Sequence, residues 1–258
     1  MSPFAPGTMA LAGLLLTRIG AAMLIAPIFS AKPVPRTVRV AMLALLTMTA
    51  LPPLIEASAG GPPPAVTATT LLSETIIGFA IGMGAAVFVG AAEVAGDLIA
   101  IQSGLSGAST LDPLTQAHTT VLADFMKLVV LTLILTLDGH ILMVEALAAS
   151  THIIPIGADI AARDGLAALV GTGSHLFAIG VQIAAPVTAA VFVSNVAMGV
   201  LARTAPKIQV FLLAYPLQIV VGLFTLAMAL PLIATLFTDW PGQYRGLVGQ
   251  LLETMEGS

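Results

Sequence analysis

The stretch that decides the fold is LLSETIIGFAIGMGAAVFVGAA, residues Leu71–Ala92. It is almost continuously apolar and reaches the ~20 residues that an α-helix needs to cross the hydrocarbon core of a bilayer. Four glycines lie in it, and two of them form the spacing Gly78-x-x-x-Gly82. Small residues at this spacing let helix backbones approach closely. We therefore predict a packed helix here, either against another part of the same chain or against a separate subunit.

Five further apolar stretches surround this one, each near or above the same length. Hydrophobic residues make up 58% of the chain and charged residues 9%, with a mean hydropathy of +1.04. A soluble domain of this size buries only about three quarters of its unfolded surface, too little to hide so much apolar area. No two-residue alternation suggests a β-barrel, so the pattern predicts an all-α, polytopic membrane protein. The predicted spans are Met9–Ile28, Val38–Ile55, Leu71–Ala92, Thr119–Leu137, Ser174–Leu201 and Ile208–Phe237.

Basic residues concentrate in short connectors between the spans. Lys32, Arg36 and Arg39 follow the first span, and Arg203 and Lys207 separate the last two. Because basic connectors tend to stay cytoplasmic, we place both of these turns in the cytoplasm and both termini on the far side. The connector Leu51–Pro64 contains five prolines and cannot be helical throughout. Ser150–Gly173 is weakly apolar and predicts a short amphipathic helix outside the membrane.

Some charged residues stand inside predicted spans. Arg18 lies near the middle of the first, where an unpaired arginine costs about 2.5–3.5 kcal/mol on membrane-insertion scales. Asp124 and Lys127 are three residues apart on one helix face, so they could neutralise each other. These residues either form buried ion pairs or line a conduit. Pumps usually carry more intramembrane carboxylates, which disfavours a proton relay.

The composition disfavours several functional classes. The formal net charge of -4 is small and diffuse, without a basic stripe for nucleic acid. The chain has no cysteine, and its four histidines show no metal-ligand spacing, so we expect no metal site. No Gly-x-x-x-x-Gly-Lys loop is present to bind nucleotide phosphates. The tripeptide Asp138-Gly139-His140 interrupts the fourth apolar run and is typical of a helix end, not of a catalytic group.

The segment Gln102–Thr110 is rich in glycine and serine, and two functional interpretations compete for it. Gly104-Leu105-Ser106-Gly107 is similar to the Gly-x-Ser-Gly site of rhomboid intramembrane proteases, in which Ser106 would be the nucleophile and a histidine the base. The segment does not begin a clear spanning helix, which disfavours that interpretation. Irregular backbone at membrane depth is tolerated where it is buried in protein or lines a cavity. A pore constriction or plug fits these properties, with an ordinary loop as the alternative.

An ordered set of short motifs runs through most of the chain, from about Met9 to Phe237. The motifs are Arg18, Ala26-Pro27-Ile28-Phe29-Ser30, Val34-Pro35-Arg36-Thr37-Val38-Arg39-Val40, Ile101-Gln102-Ser103-Gly104-Leu105-Ser106 with Asp112-Pro113, Asp138-Gly139-His140, and Ala185-Pro186 through Asn195, Gly199, Arg203, Ala205-Pro206, Val210-Phe211 and Pro216. This set resembles the FliR family of type III export gates, which has flagellar and injectisome members. Gln209 and Gln218 depart from the family pattern.

The resemblance implies partners that composition cannot supply. FliR-like proteins combine with FliP and FliQ subunits into a helical gate that admits unfolded flagellar proteins, and FlhB associates with its cytoplasmic side. The resemblance also implies a FliP-like part over residues 1–165 and a FliQ-like hairpin with a tail over residues 166–258. It further implies that the assembly stands largely outside the bilayer, so the predicted spans are helices that either cross lipid or pack on neighbouring subunits. The positions that match the plug of the family are Gln102, Ser103, Gly104, Leu105, Ser106, Gly107, Ala108 and Ser109.

We therefore expect a non-enzymatic subunit of a flagellar export gate, without cofactors, in the bacterial inner membrane at the flagellar basal body. Its expected partners are FliP-like, FliQ-like and FlhB-like proteins and the exported flagellar proteins. Gly78 and Gly82 are expected to serve helix packing, and Arg203 and Lys207 to contact the FlhB-like partner. The injectisome counterpart and a solitary small-solute transporter are the alternatives. A transporter would show inverted repeats, which we do not see.

Overall fold

The structure is a computed structural model that describes residues 6–31, 34–58, 62–105, 120–160, 162–204 and 210–256. Its helices are α1 (Pro6–Ile25), α2 (Arg36–Ala57), α3 (Ala68–Gln102), α4 (Val121–Thr136), α5 (Gly139–Ile153), α6 (Ala162–Thr204), α7 (Val210–Thr238) and α8 (Trp240–Glu256). The described residues contain no strand, which confirms the all-α prediction. Five of these helices are long and apolar enough to cross a membrane, and the bent pair of α4 and α5 would make a sixth span.

A sharp break separates α4 from α5. Asp138 adopts left-handed backbone geometry, with φ of 55° and ψ of 30°, in a region where aspartate is among the few tolerated non-glycine residues. Its amide donates to the carbonyl of Leu135 at 3.2 Å, and its carbonyl accepts from the amide of Ile141 at 2.9 Å. The interruption predicted at Asp138-Gly139-His140 is therefore a tight turn that starts a new helix at once.

The connector Leu51–Pro64 is not helical throughout, as predicted: α2 continues through Pro52 and Pro53 and ends at Ala57, and residues 62–64 are not helical. The structure differs from the sequence predictions in two other elements. The region Ser150–Gly173 does not form a separate short helix, because its residues from Ala162 onward begin the long helix α6. The amphipathic helix α8 is not among the predicted elements, because its apolar residues are interspersed with polar ones.

Contacts within the chain define two compact units, and the first comprises Met1–Val87, Leu135–Gly173 and Pro241–Ser258. In this unit α1 packs against α2 and α3. A Cβ atom at Gly78 would lie 2.2 Å from the carbonyl oxygen of Arg18, and one at Gly82 would lie 2.6 Å from that of Ala22. Only glycine allows the two backbones to approach this closely. Both glycines thus face α1 of the same chain.

From Pro241 onward, the C-terminal helix α8 belongs to the first unit, where it packs on α3. The side chain of Tyr244 is buried, and its hydroxyl donates to the carbonyl of Ile81 at 3.4 Å. Burial raises the pKa of the Tyr244 phenol, so the hydroxyl stays protonated and keeps its donor. The buried residues of α8 in this unit repeat at helical spacing and comprise Tyr244, Val248, Leu251, Leu252 and Met255.

The second unit comprises Phe88–Ile134 and Ser174–Trp240. Here the later part of α3 packs closely on α4, since a Cβ atom at Gly96 would lie 2.5 Å from the Cα atom of Ala123. It also packs on α6, where a Cβ atom at Gly180 would lie 3.0 Å from the carbonyl oxygen of Ala91. Each unit is discontinuous in sequence, whereas the predicted FliP-like and FliQ-like parts, 1–165 and 166–258, are continuous. That division stays a prediction.

The structure corrects the predicted ion pair of α4. Lys127 pairs with Glu93 of α3, and these side chains are 43% and 31% exposed. Asp124, the predicted partner, is exposed in the first turn of α4, where a carboxylate stabilises the positive end of the helix dipole. Residues three apart on a helix gain only about 0.2–0.5 kcal/mol by pairing, so a carboxylate from a packed neighbouring helix competes easily.

Candidate functional site

The end of α3 carries the first residues of the predicted plug. We call Gln102–Leu105 the stem. The amide of Ser103 donates to Ile99 at 2.9 Å and that of Gly104 donates to Ile101 at 3.2 Å, so the last turn tightens. Gly104 has a φ of 72°, the left-handed geometry in which glycine commonly ends a helix. Four predicted plug residues lie outside the described residues, namely Ser106, Gly107, Ala108 and Ser109.

Ser103 is fully buried against α7 at Gly222. A Cβ atom at Gly222 would lie 2.1 Å from Oγ of Ser103 and 2.9 Å from its Cβ. Among the described residues, no hydrogen bond reaches this hydroxyl. A buried polar group without a partner costs roughly 1–3 kcal/mol. Ser103 is therefore accommodated here by its small size and not by hydrogen bonding.

Gly104 lies on two further side chains of α7. A Cβ atom at Gly104 would lie 3.1 Å from the ring of Tyr215 and 3.5 Å from Oε1 of Gln218. Nε2 of Gln218 donates to Oδ1 of Asn195 at 2.5 Å, which links α7 to α6 beside the stem. The stem thus rests on α7 at the place where α7 is hydrogen-bonded to α6.

The start of α4, at Thr120, is held by α3. Oγ1 of Thr120 donates to Oδ1 of Asp97 at 2.8 Å, and the Thr120 amide donates to the same oxygen at 3.3 Å. The same hydroxyl accepts the amide of Ala123 at 3.2 Å, as an N-cap residue does. Both described ends of the segment that joins α3 to α4 are therefore fixed by specific contacts within the second unit.

Arg18, in the first unit, forms a buried polar network. Its Nε atom lies 2.5 Å from Oε2 of Glu74, and both side chains are 0% exposed. Nη1 donates to the carbonyl oxygens of Ser150 at 3.1 Å and Ile154 at 3.0 Å. Oε1 of Glu74 accepts the amide of Gly157 at 2.8 Å. The network ties α1, α3, α5 and the following loop together, which is a structural role.

The remaining predicted contact residues are the basic ones at the end of α6. Arg203 is exposed in the last turn, where a positive charge stabilises the negative end of the helix dipole. Lys207 lies outside the described residues. Sequence reasoning missed Glu74 and Gly222. Glu74 is the one acidic residue of the third apolar run, and Arg18 is the one arginine of the first. That pattern is the sequence signal that could have predicted their pairing.

We predict that Gly222→Ala displaces the stem and lowers the free energy of unfolding by about 1–3 kcal/mol, because the added carbon would overlap Ser103. Thermal unfolding of the purified chain in detergent measures this. Gly199→Ala is the matched control on α6, since a Cβ atom there meets nothing within 4 Å. Adding Ser103→Gly to Gly222→Ala should recover most of the loss. Equal unfolding midpoints for Gly222→Ala and the control would contradict the close contact between Ser103 and Gly222.

The described residues define a polytopic, all-α membrane protein in which the stem at the end of α3 is seated on α7. The family described as "Bacterial export proteins, family 1" matches residues 9–242. The flagellar biosynthetic protein FliR of Caulobacter vibrioides is 33% identical over 239 residues, 92% of this chain and 94% of that protein. FliR of Escherichia coli K12 is 32% identical over 219 residues, 85% of this chain and 84% of that protein. FliR of Pectobacterium carotovorum is 32% identical over 222 residues, 84% and 82% of the two chains.

The chain therefore belongs to family 1 of the bacterial export proteins, and its resemblance to the FliR proteins is confirmed.

Proposed function

We propose that this chain is a non-enzymatic subunit of the flagellar type III export gate and that Gln102–Ser109 plugs its pore. The relatives that match most of the chain are named flagellar biosynthetic protein FliR, which favours a flagellar over an injectisome setting. In this proposal the chain lies in the inner membrane at the flagellar basal body. It assembles there with FliP-like, FliQ-like and FlhB-like proteins and passes unfolded flagellar proteins.

The main support for the plug is the packing of the stem against α7. α3 ends at a left-handed glycine, and the buried Ser103 is held against Gly222 by shape alone. A glycine- and serine-rich segment with few aliphatic side chains can seal a pore by apolar contact. A segment of this composition is expected to yield to a passing chain at little cost, since it favours no regular secondary structure that would have to be broken. Meanwhile α7 keeps the stem in place.

Energy for transport must come from other components. No phosphate-binding Gly-x-x-x-x-Gly-Lys loop is present in the sequence, so the chain has no evident means of using a nucleotide. The buried carboxylate of Glu74 in the first unit is held by the guanidinium of Arg18 and by the backbone amide of Gly157. These features support a passive gate subunit and not a pump.

We predict that deleting Gly104–Ser109 makes the membrane leaky to small ions when FliP-like and FliQ-like subunits are co-expressed. The deletion removes the apolar contact that closes the pore but leaves Ser103 on Gly222. Loss of membrane potential, followed with a potential-sensitive dye, measures the leak. Cells that express the deleted chain without partners are the control, because a pore should form only in the assembly. Unchanged leakage in cells whose gate contains the deleted chain and assembles normally would refute the plug.

A further inference from the structure

A pair of side-chain amides lies on the outer part of α6 and α7. Nε2 of Gln218 donates to Oδ1 of Asn195 at 2.5 Å; Asn195 is exposed and Gln218 is half-buried. Both helices contain candidate membrane spans, with mean hydropathies of 2.1 and 2.4. Amides that enter an apolar environment without hydrogen-bond partners lose roughly 2–7 kcal/mol. An exposed amide pair on such helices therefore needs a polar partner.

The pair still has hydrogen-bonding capacity after its members bond to each other. An amide side chain carries two donor hydrogens and an oxygen that accepts two bonds. Among the described residues, the bond between Gln218 and Asn195 is the one hydrogen bond that their side chains make. Whichever way each amide is turned, the pair keeps at least one donor and one acceptor. It matches a side chain that both donates and accepts.

The same face of α6 is shaped for the close approach of another helix. Phe192, Asn195, Val196 and Gly199 recur at i, i+3, i+4 and i+7, and all four are exposed. A Cβ atom at Gly199 would meet nothing within 4 Å, in contrast to the crowded glycines Gly78 and Gly222. A small residue beside a polar one on an apolar helix is the pattern by which membrane helices associate.

We infer that this amide face, formed by Phe192, Asn195, Val196 and Gly199 with Gln218, docks an apolar helix of another gate subunit. That helix carries a side chain that donates and accepts hydrogen bonds, such as serine, threonine, asparagine or glutamine, opposite the amide pair. Lipid tails cannot form hydrogen bonds with the amide pair. The exposed apolar side chains of Phe192 and Val196 make this face unsuitable as the lining of a water-filled cavity. The inference rests on the proposed function, since it needs a multi-subunit assembly.

The first test is Gly199→Leu, with Gly246→Leu as a matched control. Both glycines face open space, and Gly246 lies on the exposed face of α8. Leucine favours helix over glycine, so neither change should destabilise the chain alone. The tagged chain is purified from detergent-solubilised native membranes, and the co-purifying subunits are quantified by mass spectrometry. We expect Gly199→Leu to reduce their recovery at least tenfold, while Gly246→Leu matches the wild type.

A second variant separates a protein partner from lipid. Asn195→Leu with Gln218→Leu makes the face wholly apolar, which suits lipid contact but removes the hydrogen bonds for a partner helix. We expect reduced recovery of the complex, and unchanged or increased recovery would overturn the inference. If Gly199→Leu also matches the wild type while FliP-like and FliQ-like subunits co-purify, the docking face is wrong and the proposed function survives. If the wild-type chain itself recovers no partner, both are wrong.

Discussion

Replacement of Arg18 by leucine is expected to lower the free energy of unfolding by about 3–5 kcal/mol, because it leaves Glu74 buried and unpaired. Both side chains are fully buried, so neither water nor lipid headgroups can compensate. The change also removes Nη1, the hydrogen-bond donor to the carbonyl oxygens of Ser150 and Ile154. Unfolding of the purified chain in detergent, followed by circular dichroism, measures the loss.

Two comparisons separate the buried pair from charge removal in general. Arg245→Leu removes a second arginine–carboxylate pair of the described residues, between Arg245 and Glu145, whose side chains are 63% and 58% exposed. Exposed pairs contribute only about 0–1 kcal/mol, so this control should remain near the wild type. The double variant Arg18→Leu, Glu74→Leu should be more stable than Arg18→Leu alone, because no isolated charge remains. If Arg18→Leu and Arg245→Leu were equally stable, the assigned role of the network would be wrong.

Replacement of Gly78 by valine is expected to lower the free energy of unfolding by about 3 kcal/mol or more, at the upper end of overpacking effects. Its Cβ atom would lie 2.2 Å from the carbonyl oxygen of Arg18 and 2.8 Å from Cβ of Ala21. The nearer atom belongs to the backbone of α1 and cannot turn aside as a flexible side chain could. α1 would have to retreat from α3 and would carry Arg18 away from Glu74.

Gly13→Val is the matched control for this prediction, since a Cβ atom at Gly13 on α1 meets nothing within 4 Å. A surface change of this kind usually alters stability by no more than about 0.5 kcal/mol. The same detergent unfolding experiment compares the two variants. A similar unfolding midpoint for both would show that α1 and α3 do not approach as closely as described.

Much of the fold follows from composition and the length of the apolar runs. A run such as Leu71–Ala92 has few structures open to it, because every backbone polar group in an apolar medium must be satisfied within a helix or barrel. The sequence therefore predicts the helices well. It does not predict α8, whose burial depends on the surface of α3 that Ile81 presents.

Pairings between distant residues are the part that sequence reasoning could not supply. Arg18 and Glu74 are 56 residues apart, and no local rule connects them. Lys127 has a carboxylate three residues away on its own helix, yet the packing of α3 brings Glu93 closer. The glycine and serine content at the end of α3 indicates a departure from helix. The contact between Ser103 and Gly222 depends on how α3 packs on α7, and no local sequence pattern predicts it.

The buried guanidinium of Arg18 has a consequence for biosynthesis. The carboxylate of Glu74 is made 56 residues after Arg18, and the carbonyl oxygen of Ser150 follows 132 residues after it. Translation proceeds at about 5–20 residues per second. The Glu74 carboxylate is therefore synthesised roughly 3–11 seconds after Arg18, and the Ser150 carbonyl roughly 7–26 seconds after it. During that interval the first helix carries an unpaired charge that opposes its partition into lipid by about 2.5–3.5 kcal/mol. We therefore expect α1 to remain at the insertion machinery until α3 has been synthesised, and the two helices to enter the bilayer together.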